Sequence, residues 1–306
     1  MSRHARAPVL ATVAAGLLWG SSFAVIKIGL RSIDPYWFAF LRFAVASAIA
    51  LVYVAVAGKG REVAALLRRP VVIWLGIANA VGFVLQFKGQ TLTTAANAAL
   101  LINSCAIYVA IASRFVFRER FGLPKIVAVA LGIAGVVLVT TNGRLEVVAG
   151  PGLVGDLIIV GASLSWTVFI LLDKHIVGGH EVDVRSLTAA MVVVTALAAL
   201  PAALLFAPRS FPAASPELWA IPYTAVFCTI LPFFLWTWGL RHITATVSSV
   251  IMLTEVVFAL ILSYFILGER LSAGSFAGSV LILVAVALAS REPHEEAAAG
   301  PDVVHE

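Results

Sequence analysis

The 306-residue chain is 61% hydrophobic and only 12% charged, whereas a soluble domain is about half apolar and a quarter charged. Its mean hydropathy of +1.02 leaves too little polar surface to cover the apolar mass in water, which excludes a soluble globular domain. The net charge of +5 would suit a nucleic-acid partner, but the Lys and Arg residues sit in short islands between apolar runs, where they set membrane orientation, so no nucleic acid is expected.

In chain order, apolar runs of about 20 residues, the length that crosses a hydrocarbon core, predict ten spans. They cover 8–30, 35–57, 70–90, 94–116, 122–141, 153–173, 186–207, 217–240, 243–267 and 272–290. The first run carries Trp19 and Lys27 and lacks a small-residue cleavage site, so it reads as a retained membrane helix and not as a signal peptide. Breakers separate the runs: Asp34-Pro35, Gly58-Lys59-Gly60, Asn142-Gly143, Gly150-Pro151-Gly152 and Gly178-Gly179. The splits near 91–94 and 240–243 carry the weakest breakers. Residues 291–306 form an acidic, Ala/Gly/Pro-rich tail expected to be disordered and cytoplasmic. With both termini inside, fourteen Lys and Arg residues fall on the cytoplasmic side and six outside, as the positive-inside rule requires.

The chain also repeats. Trp19 and Lys27 recur at one offset as Trp166 and Lys174, and Gly89, Thr94, Glu119 and Arg120 recur at a nearby offset as Gly239, Thr244, Glu269 and Arg270. Each half holds five spans, and an odd number makes the second half enter the membrane from the opposite side. The predicted fold is therefore an all-α polytopic membrane protein of two inverted five-helix repeats, 8–141 and 153–290, the architecture of alternating-access carriers.

Polar and aromatic residues inside the spans are the candidate site. Asn79 and Gln86 share a helix face with Phe83 between them; Asn97 and Ser104 bear the same spacing in the fourth span, and Tyr108 follows at four. In lipid such groups turn inward, either to line a cavity or to hydrogen-bond between helices. Trp19 and Trp166 lie too deep for headgroup anchors and, with Trp236 one turn after Pro232, read as packing or cavity walls. Glu255 stands near the middle of the ninth span, about 18 Å from either end. It is either a proton- or amine-binding carboxylate or a structural acid, and needs a cation, with Arg42 the candidate, or a proton. Lys27 and Lys174, toward helix ends, are expected to snorkel. Arg118-Glu119-Arg120 and Glu269-Arg270 read as interfacial ion pairs. Gly132, Gly135, Gly274 and Gly278 read as packing seams of the fifth and tenth spans. Cys105 and Cys228 look like small packing residues. No phosphate-binding loop and no His/Cys/carboxylate cluster at metal-ligand spacing is visible, so no cofactor, metal or enzymatic activity is expected.

Several stretches resemble the EamA-type family of the drug/metabolite transporter superfamily. They are Leu17–Lys27 (LLWGSSFAVIK), Arg42-Phe43, Phe117–Arg120 (FRER), Leu253–Ala259 (LTEVVFA) and Leu267–Arg270 (LGER). The resemblance spans about residues 9 to 290. It implies a ten-helix inner-membrane carrier, often an exporter of amino acids or other small metabolites. Where the family often has Glu-Pro in the ninth helix, Glu255 is followed here by Val256. The expected function is export of small organic solutes by rocking of two halves, with membrane lipid as surroundings and a homodimer left open. Efflux of lipophilic cations is the alternative. A membrane enzyme would need a catalytic constellation at an interface, and a channel is disfavoured by the inverted halves.

Overall fold

Local chemistry sets the helix ends. In the computed structural model, which describes residues 3–116, 123–141, 151–177, 182–207, 215–240 and 245–289, α1 (Arg3–Gly29) is followed by α2 (Pro35–Val56). Asp34 caps α2: its Oδ1 accepts from the N–H groups of Tyr36 and Trp37 at 2.9 and 3.3 Å, and Pro35 takes a first-turn position that needs no donor. At the other end of α2, Gly58 adopts φ +67°. Its N–H reaches the Ala55 carbonyl and the Lys59 N–H the Val54 carbonyl, a left-handed closure that favours glycine. A short helix, α3 (Gly60–Leu66), then occupies a stretch the sequence reading leaves as a loop.

The rest is helical too, with no strand among the described residues. α4 (Pro70–Gln90), α5 (Ala95–Asn103), α6 (Cys105–Val116), α7 (Leu123–Thr141), α8 (Pro151–Val177) and α9 (Val184–Phe206) follow. A 3-10 turn (Pro216–Trp219), α10 (Ala220–Ala225), a π-helical segment (Val226–Ile230) and α11 (Leu231–Leu240) form the next run, before α12 (Ala245–Leu267) and α13 (Ala273–Ala289). The expected fourth span is thus divided at Ser104, whose Oγ donates back to the Leu101 carbonyl at 2.6 Å and competes with the backbone ladder. The eighth is a continuous helical run that passes through the π segment. Among the described residues, six helical runs are long and apolar enough to cross a membrane, and four shorter apolar stretches accompany them. Large apolar side chains such as Val56, Leu205 and Phe265 point outward, as suits a polytopic protein whose solvent is lipid.

Elements from the two sequence halves interleave. α4 packs against α8 and α9, α2 against α9, α1 against α11 and α12, and α7 against α13. Two apolar cores result. One gathers α1, α2, α4, α8, α9 and the α10–α11 run; the other gathers α1, α5, α7, α8, α12 and α13. The expected glycine seam is present where α7 crosses α13, with Gly135 and Gly278 facing each other's carbonyl oxygens. Gly132 instead meets Ile107 of α6.

Contacts between the described loops fall into two groups. In one, Lys59 pairs with Glu62 at 2.9 Å and with Asp183 at 3.2 Å. The Glu62 and Asp183 carboxylates hold the exposed Lys59 ammonium above its ordinary range. Partial burial pushes Asp183 up, but hydrogen bonds from Lys59, the Arg185 N–H and Ser186 outweigh it and hold the carboxyl below the usual range. In the other, Ser32 donates to Glu217, and the Glu269 carboxylate accepts from the N–H groups of Ala95 and Ala96, both at 3.0 Å. Glu269 therefore serves as a cap on the α5 N-terminus, where free N–H groups and the helix dipole favour an anion. It is not the interfacial ion pair expected. Lys27 is a second correction. Its head group is not free to snorkel: the Nζ donates to the carbonyls of Gln90 (2.6 Å) and Thr93 (2.5 Å), at the end of α4 and in the turn after it, where carbonyls lack a helical donor. Arg118-Glu119-Arg120, the Lys174 side chain, the 241–244 split and the 291–306 tail lie outside the described residues.

Candidate functional site

The site begins with a proline. Within an α-helix the Cys228 carbonyl would accept from the N–H of residue 232, and that residue is Pro232, which has none. The helix opens into the π segment there, and the carbonyl turns to Arg42. Arg42 on α2 is fully buried. Its Nη2 donates to the Cys228 carbonyl at 2.5 Å, and its Nε donates to Thr229 Oγ1 at 2.7 Å. Thr229 in turn donates to the Thr224 carbonyl at 3.0 Å. The guanidinium lies 4.4 Å from the Phe83 ring centre, with Phe43 at 5.5 and Phe87 at 5.9 Å, a cation–π seat. Its Nη1 is buried with no hydrogen-bond partner. The expected ion pair of Arg42 with Glu255 is absent; carbonyl, hydroxyl and ring faces hold the charge instead.

From Phe83 runs a file of aromatic contacts, edge-to-face except for the tilted last one. Phe83 meets Trp166 at 4.7 Å, Trp166 meets Phe169 at 5.5 Å, Phe169 meets Phe233 at 6.0 Å, Phe233 meets Trp19 at 5.2 Å, and Trp19 meets Trp236 at 6.1 Å. Four helices contribute to this file, α1, α4, α8 and α11, and Arg42 and Phe43 of α2 flank its Phe83 end. Trp166 packs against both apolar cores. Its Nε1 is buried without a hydrogen-bond partner, pressed onto the backbone of Gly82. Four of the sequence candidates, Trp19, Phe83, Trp166 and Trp236, meet here.

The other candidates fall elsewhere. Asn79 is fully buried, and its Nδ2 donates to Thr195 Oγ1 on α9 at 3.0 Å, the interhelical role set against a cavity role above. Gln86 is also buried. Asn97 approaches Asp156 at 3.4 Å, and Asp156 also accepts from Thr93. Ser104 meets Ser163 at 3.3 Å, and Tyr108 is half-buried on α6. Glu255 is half-buried on α12, its carboxylate within hydrogen-bonding reach of Asn103 and its backbone carbonyl against Gly20. Asp156, Asp173, Asn103, Phe169 and Phe233 are absent from the candidates drawn from sequence. The signal for the two acids is the one that marks Glu255, an ionisable residue inside an apolar run.

If the Asn79–Thr195 bond is structural glue, a double-mutant cycle of Asn79→Leu and Thr195→Val is expected to give a coupling of about 0.6–2 kcal/mol in unfolding free energy, the range for polar pairs between membrane helices. Additive single effects would remove that role.

A family model described as the EamA-like transporter family matches residues 6–141 and again 153–291. The chain belongs to the EamA-like transporter family. An uncharacterized transporter of Archaeoglobus fulgidus is 27% identical over 91% of this chain and 96% of its own length. The uncharacterized transporter YyaM of Bacillus subtilis is 26% identical over 89% of each chain. The uncharacterized inner membrane transporter YedA of Escherichia coli K12 is 26% identical over 89% of this chain and 87% of its own. A solved crystal structure shares the fold, with TM-score 0.66 and 20% identity, covering 92% of this chain and 96% of the other. This member of the EamA-like family is a membrane transporter and not an enzyme.

Proposed function

We propose that this EamA-like protein exports small organic solutes bearing a carboxylate, such as amino acids, across an inner membrane by alternating access. The observation that carries the reading is the aromatic layer with Arg42 at its edge, built inside the first apolar core and joined to the second through Trp166. A guanidinium with two donors engaged and a third unpartnered suits a carboxylate as its anion, and the rings suit an apolar side group.

The transport architecture belongs to the same proposal: ten spans in two inverted five-helix repeats, both termini cytoplasmic, the two cores rocking about Trp166. The twofold match of the family model supports the repeats. The grouping of the loop contacts into two sets supports the alternation. Lipophilic-cation efflux is the lesser reading, because the full charge seated in the aromatic layer is positive and repels a cation.

Metabolite profiling of cells with and without the overexpressed protein tests this. Small amino or carboxylic acids are expected to rise in the medium and fall inside the cell. An unchanged profile together with raised resistance to a panel of lipophilic cations would replace this reading with the lesser one.

A further inference from the structure

Asp173 borders this layer and differs from the other acids of the long helices, Asp156 and Glu255, in having no partner among the described residues. It lies seven residues after Trp166 and four after Phe169, on one face of α8. The side chain is 8% exposed, and no hydrogen bond or ion pair reaches it among the described residues. Asp156, on the same helix, has Thr93 and Asn97, and Glu255 has Asn103.

Asp173 opens instead into a cavity of about 10 Å³ between α4, α8, α9 and α11. The hydroxyl-bearing Thr188 and Thr237 line it, with Phe169 and Phe233 of the aromatic file. Among the described residues no other titratable side chain lines it. On the packed elements, α4 and α11 bring none to this cavity. On α9, Arg185 is exposed and turned to Tyr53 and the Phe234 ring. Asp183, just before α9, is engaged by Lys59, and His175 on α8 is exposed.

A charged carboxylate this well buried needs a positive partner, and the cavity bounds what that partner is. About 10 Å³ holds one water-sized particle, which excludes an organic amine. One carboxylate and two hydroxyls are too few for a divalent ion, which takes six or more oxygens and usually several carboxylates. We propose that Asp173 is a binding site for a small monovalent cation, a proton or a sodium ion, whose occupancy is communicated to the aromatic layer through Phe169 and Phe233. The site rests on the carrier reading for its purpose, as the place where an ion gradient would act, but not for its existence.

The test uses the purified full-length protein in nanodiscs and needs no transported solute. Intrinsic tryptophan fluorescence reports on the site because Trp166 packs on Phe169. The signal is followed while NaCl replaces choline chloride at constant pH, and separately between about pH 5 and 8 in choline. A saturable response to one of the two is expected in the wild type and is expected to vanish in Asp173→Asn. A sodium response that Thr237→Val weakens by about tenfold, the worth of one lost polar ligand, assigns sodium. A pH response that Thr237→Val leaves in place assigns the proton. Should Asp173→Asn fail to fold, Asp173→Glu, which keeps the carboxylate but moves it, is expected to displace the midpoint. A wild type silent in both titrations, a full response in Asp173→Asn, or an unmoved midpoint in Asp173→Glu overturns the site. Metabolite profiling can fail without touching this result, and this result can fail without touching the profiling.

Discussion

Arg42→Lys is expected to leave the protein folded in the membrane and to lower transport by about a hundredfold, the worth of the charge-assisted hydrogen bond that Nη1 would give the solute carboxylate. Lysine keeps the charge but not the planar fork. It cannot span the Cys228 carbonyl and Thr229 Oγ1 while lying flat over Phe83. Arg42→Leu goes further. It leaves the Cys228 carbonyl without a donor, since Pro232 offers no N–H, at about 1–3 kcal/mol for a buried orphan acceptor. It also forfeits a cation–π contact worth about 1–2 kcal/mol. Loss of the buried charge offsets part of this, because an ion removed from a low-dielectric site no longer carries its desolvation cost. Arg42→Leu should therefore melt below the wild type, while Arg42→Lys should melt close to it yet fail in solute counterflow. Wild-type counterflow in Arg42→Lys would remove Arg42 from the transport site and leave it a structural clamp on the π segment.

Gly135→Leu and Gly278→Leu should each abolish recovery of folded protein, and Gly278→Ala should already lower the melting temperature. A Cβ on Gly135 would stand 2.8 Å from the Gly278 carbonyl oxygen, and one on Gly278 would stand 2.7 Å from the Gly135 carbonyl oxygen. Backbone atoms cannot turn aside as a side-chain tip can, so the two helices must separate along their length. Small-residue crossings hold membrane helices by close packing alone, because lipid is as apolar as the side chains it would replace. Overpacking of this kind costs about 1–3 kcal/mol in a well-packed core, and here it removes the contact itself. Gly161→Ala is the control: its nearest neighbour would be Leu85 Cδ1 at 3.7 Å, and alanine is the better helix former. Size-exclusion profiles and thermal melts of the set decide the matter. A monodisperse Gly278→Leu protein with a wild-type melt would show that α7 and α13 do not depend on this crossing.

The sequence by itself determined where the chain turns helical and lies in lipid. Span length, Asp34-Pro35, Gly58 and the Gly135/Gly278 seam are local features, and each is legible one helix at a time. The repeat offset was legible for the same reason, and it brought Trp19 and Trp166 to notice together. Only the tertiary structure decided what faces what. Pro232 and Arg42 lie far apart in sequence, and nothing in either foretells that one's missing N–H is answered by the other's guanidinium. Lys27 could have snorkelled until the end of α4 and the turn after it placed two free carbonyls beside it, and Glu255 could have met Arg42 until α12 turned it to Asn103. In water a helix announces its inward face by polarity. In lipid the outside is as apolar as the core, so the rotation of each helix about its axis, which assembled the aromatic file and left Asp173 alone in its cavity, is set by packing between distant segments and carries almost no signature in the order of residues.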